Sequence, residues 1–310
     1  MTDLHRAVDE YVSIRQAVGF KLRGHDRLLH DFVGDLERSE GQQITPDMAV
    51  AWAVKTSTSP VRWCQRLVIL RGFTRHLNVF DPSVPALPAD LLVCRRERPT
   101  PYIYEEEEVA ALLAATGSLR PKLHAATCRT LLGLIAATGM RLCEAIALDR
   151  ADVDFAGGAL TIRRTKFNKT RRLPLHPSVL TALRDYATQR QPNRLFRKEL
   201  KTTAFFISIR GTRLLDTCVH SVFRRLVEAV GLKPRGGSGP PRIHDLRHTF
   251  AVATVRDWHR SSSDAGAKAP LLSAYLGHAH PASTYWYLQA APALLRQAAD
   301  LLERPSEELP

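Results

Sequence analysis

The chain has 310 residues, 45% of them apolar, with 44 Lys and Arg against 31 Asp and Glu, a formal net charge of +13 and a pI near 9.9. That length exceeds one typical domain and the apolar share can fill two ordinary cores, while the charge calls for a polyanionic partner, nucleic acid before an anionic membrane surface. No window approaches the ~18 apolar residues of a membrane span, the N-terminal MTDLHRAVDEY lacks a charged-then-apolar leader layout, and the scattered cysteines form no CxxC pair for zinc or redox work. A membrane-spanning chain is thereby excluded and a cytoplasmic one expected.

From Leu4 to about Asn78 apolar residues recur at helical spacing, as in Val8, Tyr11, Val12 and Ile14 and then Trp63, Leu67, Leu70 and Phe73. This predicts a small all-helical first domain over 1–80. Residues 1–92 hold 11 basic and 11 acidic residues, so the remainder holds 33 against 20 and carries the whole excess of 13. Within the first domain, a basic face around Lys21, Arg23 and Arg27 is the hint of nucleic-acid contact. Pro82, Pro85, Pro88, Pro99 and Pro101 interrupt helix and place a linker at 81–102.

The second domain, 103–310, opens on Glu105 to Glu108 ahead of the apolar VAALLAA. These acids suit the positive end of a helix dipole and equally suit a solvated face. Between Val153 and Leu175 the pattern changes: Gly157-Gly158 reads as a turn and Leu160, Thr161 and Ile162 favour a strand, so a small antiparallel sheet interrupts a mainly helical domain. The stretches GGSGPP (236–241) and HRSSSDAGAKAP (259–270) read as loops, and the first lacks the GK[ST] ending of a nucleotide-phosphate cradle.

Four constellations carry chemistry. Arg141 and Glu144 lie one helical turn apart in ATGMRLCE, which by itself fits a surface ion pair. Lys166 belongs to RRTKFNKTRR, where Arg163, Arg164, Lys166, Lys169, Arg171 and Arg172 stand with no acid on a hairpin whose tip can reach a phosphate backbone. His244 and Arg247 share a helix face in PRIHDLRH, with Arg242 just ahead, and His248 reads as a packing histidine. Last comes LGHAHPASTYWYL, in which His278 and His280 are poorly spaced for a metal and Tyr285 and Tyr287 point to nearly opposite sides of a helix.

Together and in this order, the four segments resemble the tyrosine recombinase, or phage-integrase, family, from about Tyr104 to Leu288. The resemblance implies a mainly α fold with a small antiparallel β-sheet, in two domains: a helical core-binding domain that clamps DNA and an α+β catalytic domain. It also implies a catalytic set of Arg141, Lys166, His244, Arg247, His278 and Tyr287. The two guanidinium forks would hold the nonbridging phosphate oxygens. Tyr287, nine residues after His278 as in the family, would attack phosphorus to give a 3′-phosphotyrosine and a free 5′-hydroxyl. His244 would take part in removing the tyrosine proton, His278 would hydrogen-bond the phosphate, and Lys166 would protonate the departing oxygen, with Lys169 its competitor. Glu144 would orient Arg141 or a neighbouring histidine.

DNA contacts are expected from Arg163, Arg164, Lys169, Arg171, Arg172 and Arg242. No metal and no cofactor are expected. The resemblance further implies double-stranded DNA as partner and a tetrameric synapse of identical copies, or one shared with related recombinases. Gln289 to Arg304 would form an amphipathic helix, exchanged between neighbours or packed on its own domain. The YWYL ending, with Leu288 and Gln289 in place of the common Tyr-x-His, and the polar insert at 259–270 resemble recombinases resident in transposon-like elements. Two other readings stay open: an architectural DNA-binding accessory, and a type IB topoisomerase-like enzyme that would relax plasmids lacking a special site.

Overall fold

The computed structural model describes residues 3–20, 22, 24–39, 43–92, 100–163, 170–190, 202–261, 265–278 and 284. The chain divides into two compact units, Met1–Arg98 and Pro99–Pro310. Lys21, Arg23, Arg164, Lys166, Lys169, His280, Tyr285, Tyr287 and the segment from Gln289 to Arg304 lie outside the described residues.

The first unit is helical: α1 (Leu4–Ala17), α2 (His25–Glu37), α3 (Pro46–Lys55) and α4 (Pro60–Phe80). Asp3 caps α1 by accepting from the Arg6 amide, and Thr45 caps α3 ahead of Pro46, whose missing N–H costs nothing in the first turn. The core gathers Val8, Leu29, Phe32, Val33, Trp52, Leu67, Leu70 and Phe73. Arg66 is buried within it, its guanidinium stacked 3.9 Å from the Trp52 ring centre and bonded to Asp31 at 2.9 Å. The same Asp31 oxygen accepts from Trp52 Nε1 at 2.9 Å.

The proline-rich stretch read as linker does not leave this unit at 81. Leu87 enters the core, Asn78 donates to the Val84 carbonyl at 2.7 Å, and Arg71 donates to the carbonyls of Pro88 (3.0 Å) and Ala89 (2.9 Å). Proline stops a helix by removing its N–H, but its carbonyl still accepts, so side chains of α4 hold the segment down.

The second unit contains α5 (Glu106–Ala115), α6 (Lys122–Thr138), α7 (Leu142–Ala147), α8 (Pro177–Gln189), α9 (Asp216–Val230), α10 (Ile243–Arg260) and α11 (Ala265–Leu276). Its sheet consists of β1 (Val153–Asp154), β2 (Ala159–Ile162) and β3 (Arg171–Pro174), antiparallel in the order β1-β2-β3. Leu160 pairs with Val153 on one side and Leu173 on the other. The fold is mainly helical with one small antiparallel sheet, as the sequence predicts. Of the acidic run, Glu105 caps α5 and Glu108 returns to the Glu105 amide at 2.9 Å. Glu108 also accepts from Tyr102 Oη at 2.7 Å and from Arg235 at 2.8 Å.

The stretch 259–270, read as a loop, contributes instead to two helices, since α10 runs to Arg260 and α11 begins at Ala265. Ala265, Ala267 and Ala269 are strong helix formers that the surrounding polar residues hid. Burial of Leu272 and Leu276 against Ala251, Val252 and Val255 of α10 fixes α11 in place.

Candidate active site

Three chain reversals deliver the site residues to one place. Helix α6 ends at Gly139, whose φ of +61° stops the helix and which has no room for a side chain: a Cβ there would lie 2.5 Å from Phe250 and 2.9 Å from Leu276. Arg141 then becomes the cap of α7. Its amide donates to Glu144 Oε2 and its Nη1 to Glu144 Oε1, both at 3.0 Å. After Pro240 and Pro241, α10 opens with His244, Arg247 and His248 in its first turns. The third reversal is the C-terminus of α11, whose last carbonyls have no partner within the helix and carry its negative dipole end.

Arginines occupy those carbonyls. Arg247, only 1% exposed, donates to Leu276 O at 2.9 Å and to Gly139 O at 2.7 Å, tying the ends of α11 and α6 to α10. Arg141 donates to Gly277 O at 3.1 Å and Leu276 O at 3.5 Å. Arg171 donates from Nε to Tyr275 O at 3.1 Å and forks onto both oxygens of Glu144 at 3.0 and 2.8 Å.

This corrects the expectation that Arg171 faces DNA with the other hairpin cations. Side chains alternate along a strand, and Arg171 falls on the same face of β3 as the buried Leu173, while Arg172 falls on the open face. Its guanidinium is therefore turned inward against Glu144, which is buried. Burial opposes ionisation of Glu144, but the Arg171 hydrogen bonds and charge, followed by Arg141, hold its carboxyl below the usual range.

The histidines gather around this cluster. His244 is open to solvent on one edge and meets His248 edge-on, ring centres 4.8 Å apart. Packed protein against the rest of the His244 ring, then the charge of Arg247, lowers its pKa. His248 is buried, and desolvation first, then His244, lowers its pKa to about 3. His278 follows Gly277 (φ +69°) and its Nδ1 lies 2.7 Å from Oγ1 of the buried Thr284. Desolvation, then Arg247 and Arg141, lowers the pKa of His278 to about 4.

Of the residues expected from sequence, Arg141, Glu144, His244, Arg247 and His278 thus come together. Arg163 pairs with Asp152, Arg172 with Asp154 at 2.6 Å and Arg242 with Asp245 at 2.8 Å; their side chains are 59%, 64% and 47% exposed, so they remain accessible to a ligand. Lys166 and Tyr287 lie outside the described residues. Sequence reasoning missed the carbonyls of Gly139, Tyr275, Leu276 and Gly277, because a main-chain acceptor leaves no mark on residue type. Among the described residues, no group of three or more His, Cys, Asp or Glu could hold a metal ion, and no helix is long and apolar enough to cross a membrane.

Residues 103–293 match the model of the phage integrase family. The "Putative integrase/recombinase y4rB" of Sinorhizobium fredii is 39% identical over 99% of both chains. Among solved structures, the XerH site-specific recombinase bound to palindromic difH substrate superimposes with a TM-score of 0.67, at 19% identity, over 91% of this chain and 80% of that one. The Tn1549 transposon integrase in complex with transposon right end DNA gives 0.63, at 16% identity, over 96% and 99%. The chain belongs to the phage integrase family, the tyrosine recombinases.

Proposed function

We propose that the protein is a site-specific recombinase that binds double-stranded DNA and exchanges its strands by transesterification at Tyr287. The observation that carries this is the convergence of Arg141 and Arg247 on one acceptor, with His278 next to it and His244 at the open edge. A scissile phosphate entering there replaces the α11 carbonyls as partner of the outer guanidinium donors and gains two positive charges as its own charge develops.

In this reading Tyr287 Oη attacks phosphorus, the P–O5′ bond breaks, and a 3′-phosphotyrosine and a 5′-hydroxyl result. Attack by another strand's 5′-hydroxyl reverses the step, so the bond energy is conserved and no ATP or metal enters the balance. Free tyrosine has a pKa of about 10 and must lose its proton as it attacks. His244, with its pKa lowered, is neutral at pH 7 and has a lone pair to receive it. His278, also neutral, can accept from Thr284 at Nδ1 and donate from Nε2 to a phosphate oxygen. Lys166 supplies the proton to the departing oxygen, with Lys169 as alternative, and Glu144 orients Arg141. Arg163, Arg164, Lys169, Arg172 and Arg242 contact the backbone, and the first unit clamps the duplex.

By likeness to the transposon integrase, the substrates are the ends of a mobile element, brought together in a tetrameric synapse. The test is a nicked suicide substrate made from the ends of the element that encodes the protein. Wild type is expected to give a protein–DNA adduct that survives denaturation, and Tyr287→Phe none. An adduct in both removes Tyr287 as nucleophile, and tight binding without an adduct in either makes the protein architectural.

A further inference from the structure

We propose that Arg171 is a positioning residue of the cleavage site: by holding Glu144 and the Tyr275 carbonyl together, it sets the orientation of the Arg141 fork and the place of His278. The proposal rests on the recombinase reading above and adds to it a residue whose sequence context points to DNA instead.

The argument starts from the lone pairs of Glu144. A carboxylate offers about four acceptor sites, two on each oxygen. Oε1 accepts from Arg141 Nη1 and Arg171 Nη1, both at 3.0 Å. Oε2 accepts from the Arg141 amide at 3.0 Å and Arg171 Nη2 at 2.8 Å. Glu144 is therefore saturated, and Arg141 is limited to one side-chain bond with it. Its Nη2 is thereby left to face Gly277 O at 3.1 Å, at the α11 end where the phosphate is placed.

Without Arg171, adjacent sites open on both Glu144 oxygens. That is the geometry a guanidinium takes bidentately, and Arg141 is within reach to do so. The fork would then turn into the protein and away from the phosphate.

The second half of the argument concerns α11. Arg171 Nε holds Tyr275 O at 3.1 Å, and its guanidinium lies so close to Gly277 that a Cβ there would be 2.7 Å from Nη1. The next residue is His278, whose amide returns to Ser273 O at 3.0 Å. One side chain thus braces the turn that presents His278 and fixes the carboxylate that aims Arg141. Its side chain is only 15% exposed, which leaves its charge little access to DNA or solvent.

Arg171→Ala and Arg171→Lys are compared with wild type in single-turnover adduct formation, DNA affinity against salt, and amide exchange of the DNA-free protein. Lysine can reach Glu144 or Tyr275 O but has no fork for both. The expected result is an adduct rate down about 100-fold for alanine, as misplacement of about 1 Å produces, with a smaller loss for lysine. The salt slope of DNA affinity should fall by no more than it does in Arg141→Ala, the contact that the turned fork gives up, and Arg171→Ala added to Arg141→Ala should not lower it further. The Gly277 and His278 amides should exchange faster in both variants.

Wild-type rates in both variants overturn the proposal. So does a further fall of about one in the salt slope when Arg171→Ala is added to Arg141→Ala, the mark of a phosphate contact made by Arg171 itself. Should alanine fail to fold, the lysine variant decides by the same three readouts. Should wild type itself form no adduct, the recombinase reading fails, while the exchange measurement still decides whether Arg171 holds the end of α11.

Discussion

Arg247 and Arg141 share the carbonyl oxygen of Leu276 as acceptor, at 2.9 and 3.5 Å. The C-terminal dipole of α11 therefore does for the two guanidiniums in the free protein what a phosphate would do in a complex: it offers negative charge at a point both can reach. The two arginines differ in commitment. Arg247 is enclosed and spans to Gly139 O, whereas the Arg141 side chain is 30% exposed and can exchange its carbonyls for a ligand.

Arg247→Ala should therefore damage both fold and chemistry. It takes the Arg247 donor from the buried Gly139 carbonyl and leaves Leu276 O only the long Arg141 contact at 3.5 Å, such losses costing about 1–3 kcal/mol each, and leaves space where the side chain stood. A fall in unfolding free energy of roughly 2–4 kcal/mol, measured by urea titration, is expected together with no detectable adduct. Arg247→Lys keeps the charge but not the span, and should recover part of the stability without recovering the rate. Full stability in the alanine variant would mean that the span contributes nothing.

Gly277→Ala tests the turn directly. The position combines a φ of +69° with a Cβ site 2.7 Å from the Arg171 guanidinium, so both backbone and packing resist a side chain. A loss of about 1–2 kcal/mol and a slower adduct rate are expected, because His278 moves with the turn. Gly117→Ala is the control: nothing lies within 4 Å of its Cβ site, and its melting temperature should be unchanged. Equal behaviour of the two variants would remove the steric argument.

The histidines set the acid side. His248 and His278 titrate near 3 and 4 in the fold but near 6.5 when unfolded. Below pH 6.5 the unfolded chain takes up protons that the fold refuses. Their contribution to stability is thus full above pH 6.5 and is lost as pH falls toward 4 and then 3, by up to about 1.4 kcal/mol per pH unit for each group. Melting temperature should drop between pH 7 and 5, and less steeply in His248→Asn. The adduct rate should hold down to about pH 6.5 before falling, since His244 is also shifted below the ordinary histidine value. A rate that already declines at pH 7.5 on acidification would speak against a neutral His244 as proton acceptor.

The helices of the first unit, the sheet and the order of the chemical motifs were legible in the sequence because each is a local pattern: apolar spacing, a Gly-Gly turn, an arginine after a glycine. Three features were not. The segment 81–92 looks like a linker because its prolines are visible, while the Asn78 and Arg71 donors that bind its carbonyls belong to another element. The start of α11 is hidden by composition, its alanines standing among Ser, Asp, Lys and Gly. Arg171 looks like its neighbours in RRTKFNKTRR, and only strand alternation beside a buried Glu144 separates it from Arg172. Pairing with a main-chain carbonyl or a distant carboxylate is a property of the assembled chain.

The contrast between those adjacent arginines yields the last expectation. Arg172 Nη2 bonds to Asp154 Oδ2 at 2.6 Å, with side chains 64% and 43% exposed. Such a pair stabilises the fold by at most about 1 kcal/mol, and a phosphate can compete for the guanidinium. Asp154→Asn removes the competing charge and keeps an oxygen to accept from the Gly157 amide, now 2.7 Å from Oδ1. DNA affinity at low salt should therefore rise in Asp154→Asn, with the melting temperature nearly unchanged. Arg172→Ala should bind more weakly, and its plot of log affinity against log salt should flatten by about 0.9, the counterion equivalent of one phosphate contact. An unchanged slope in Arg172→Ala would show that the open face of β3 does not touch the DNA backbone, and the basic excess of the second unit would then have to act elsewhere.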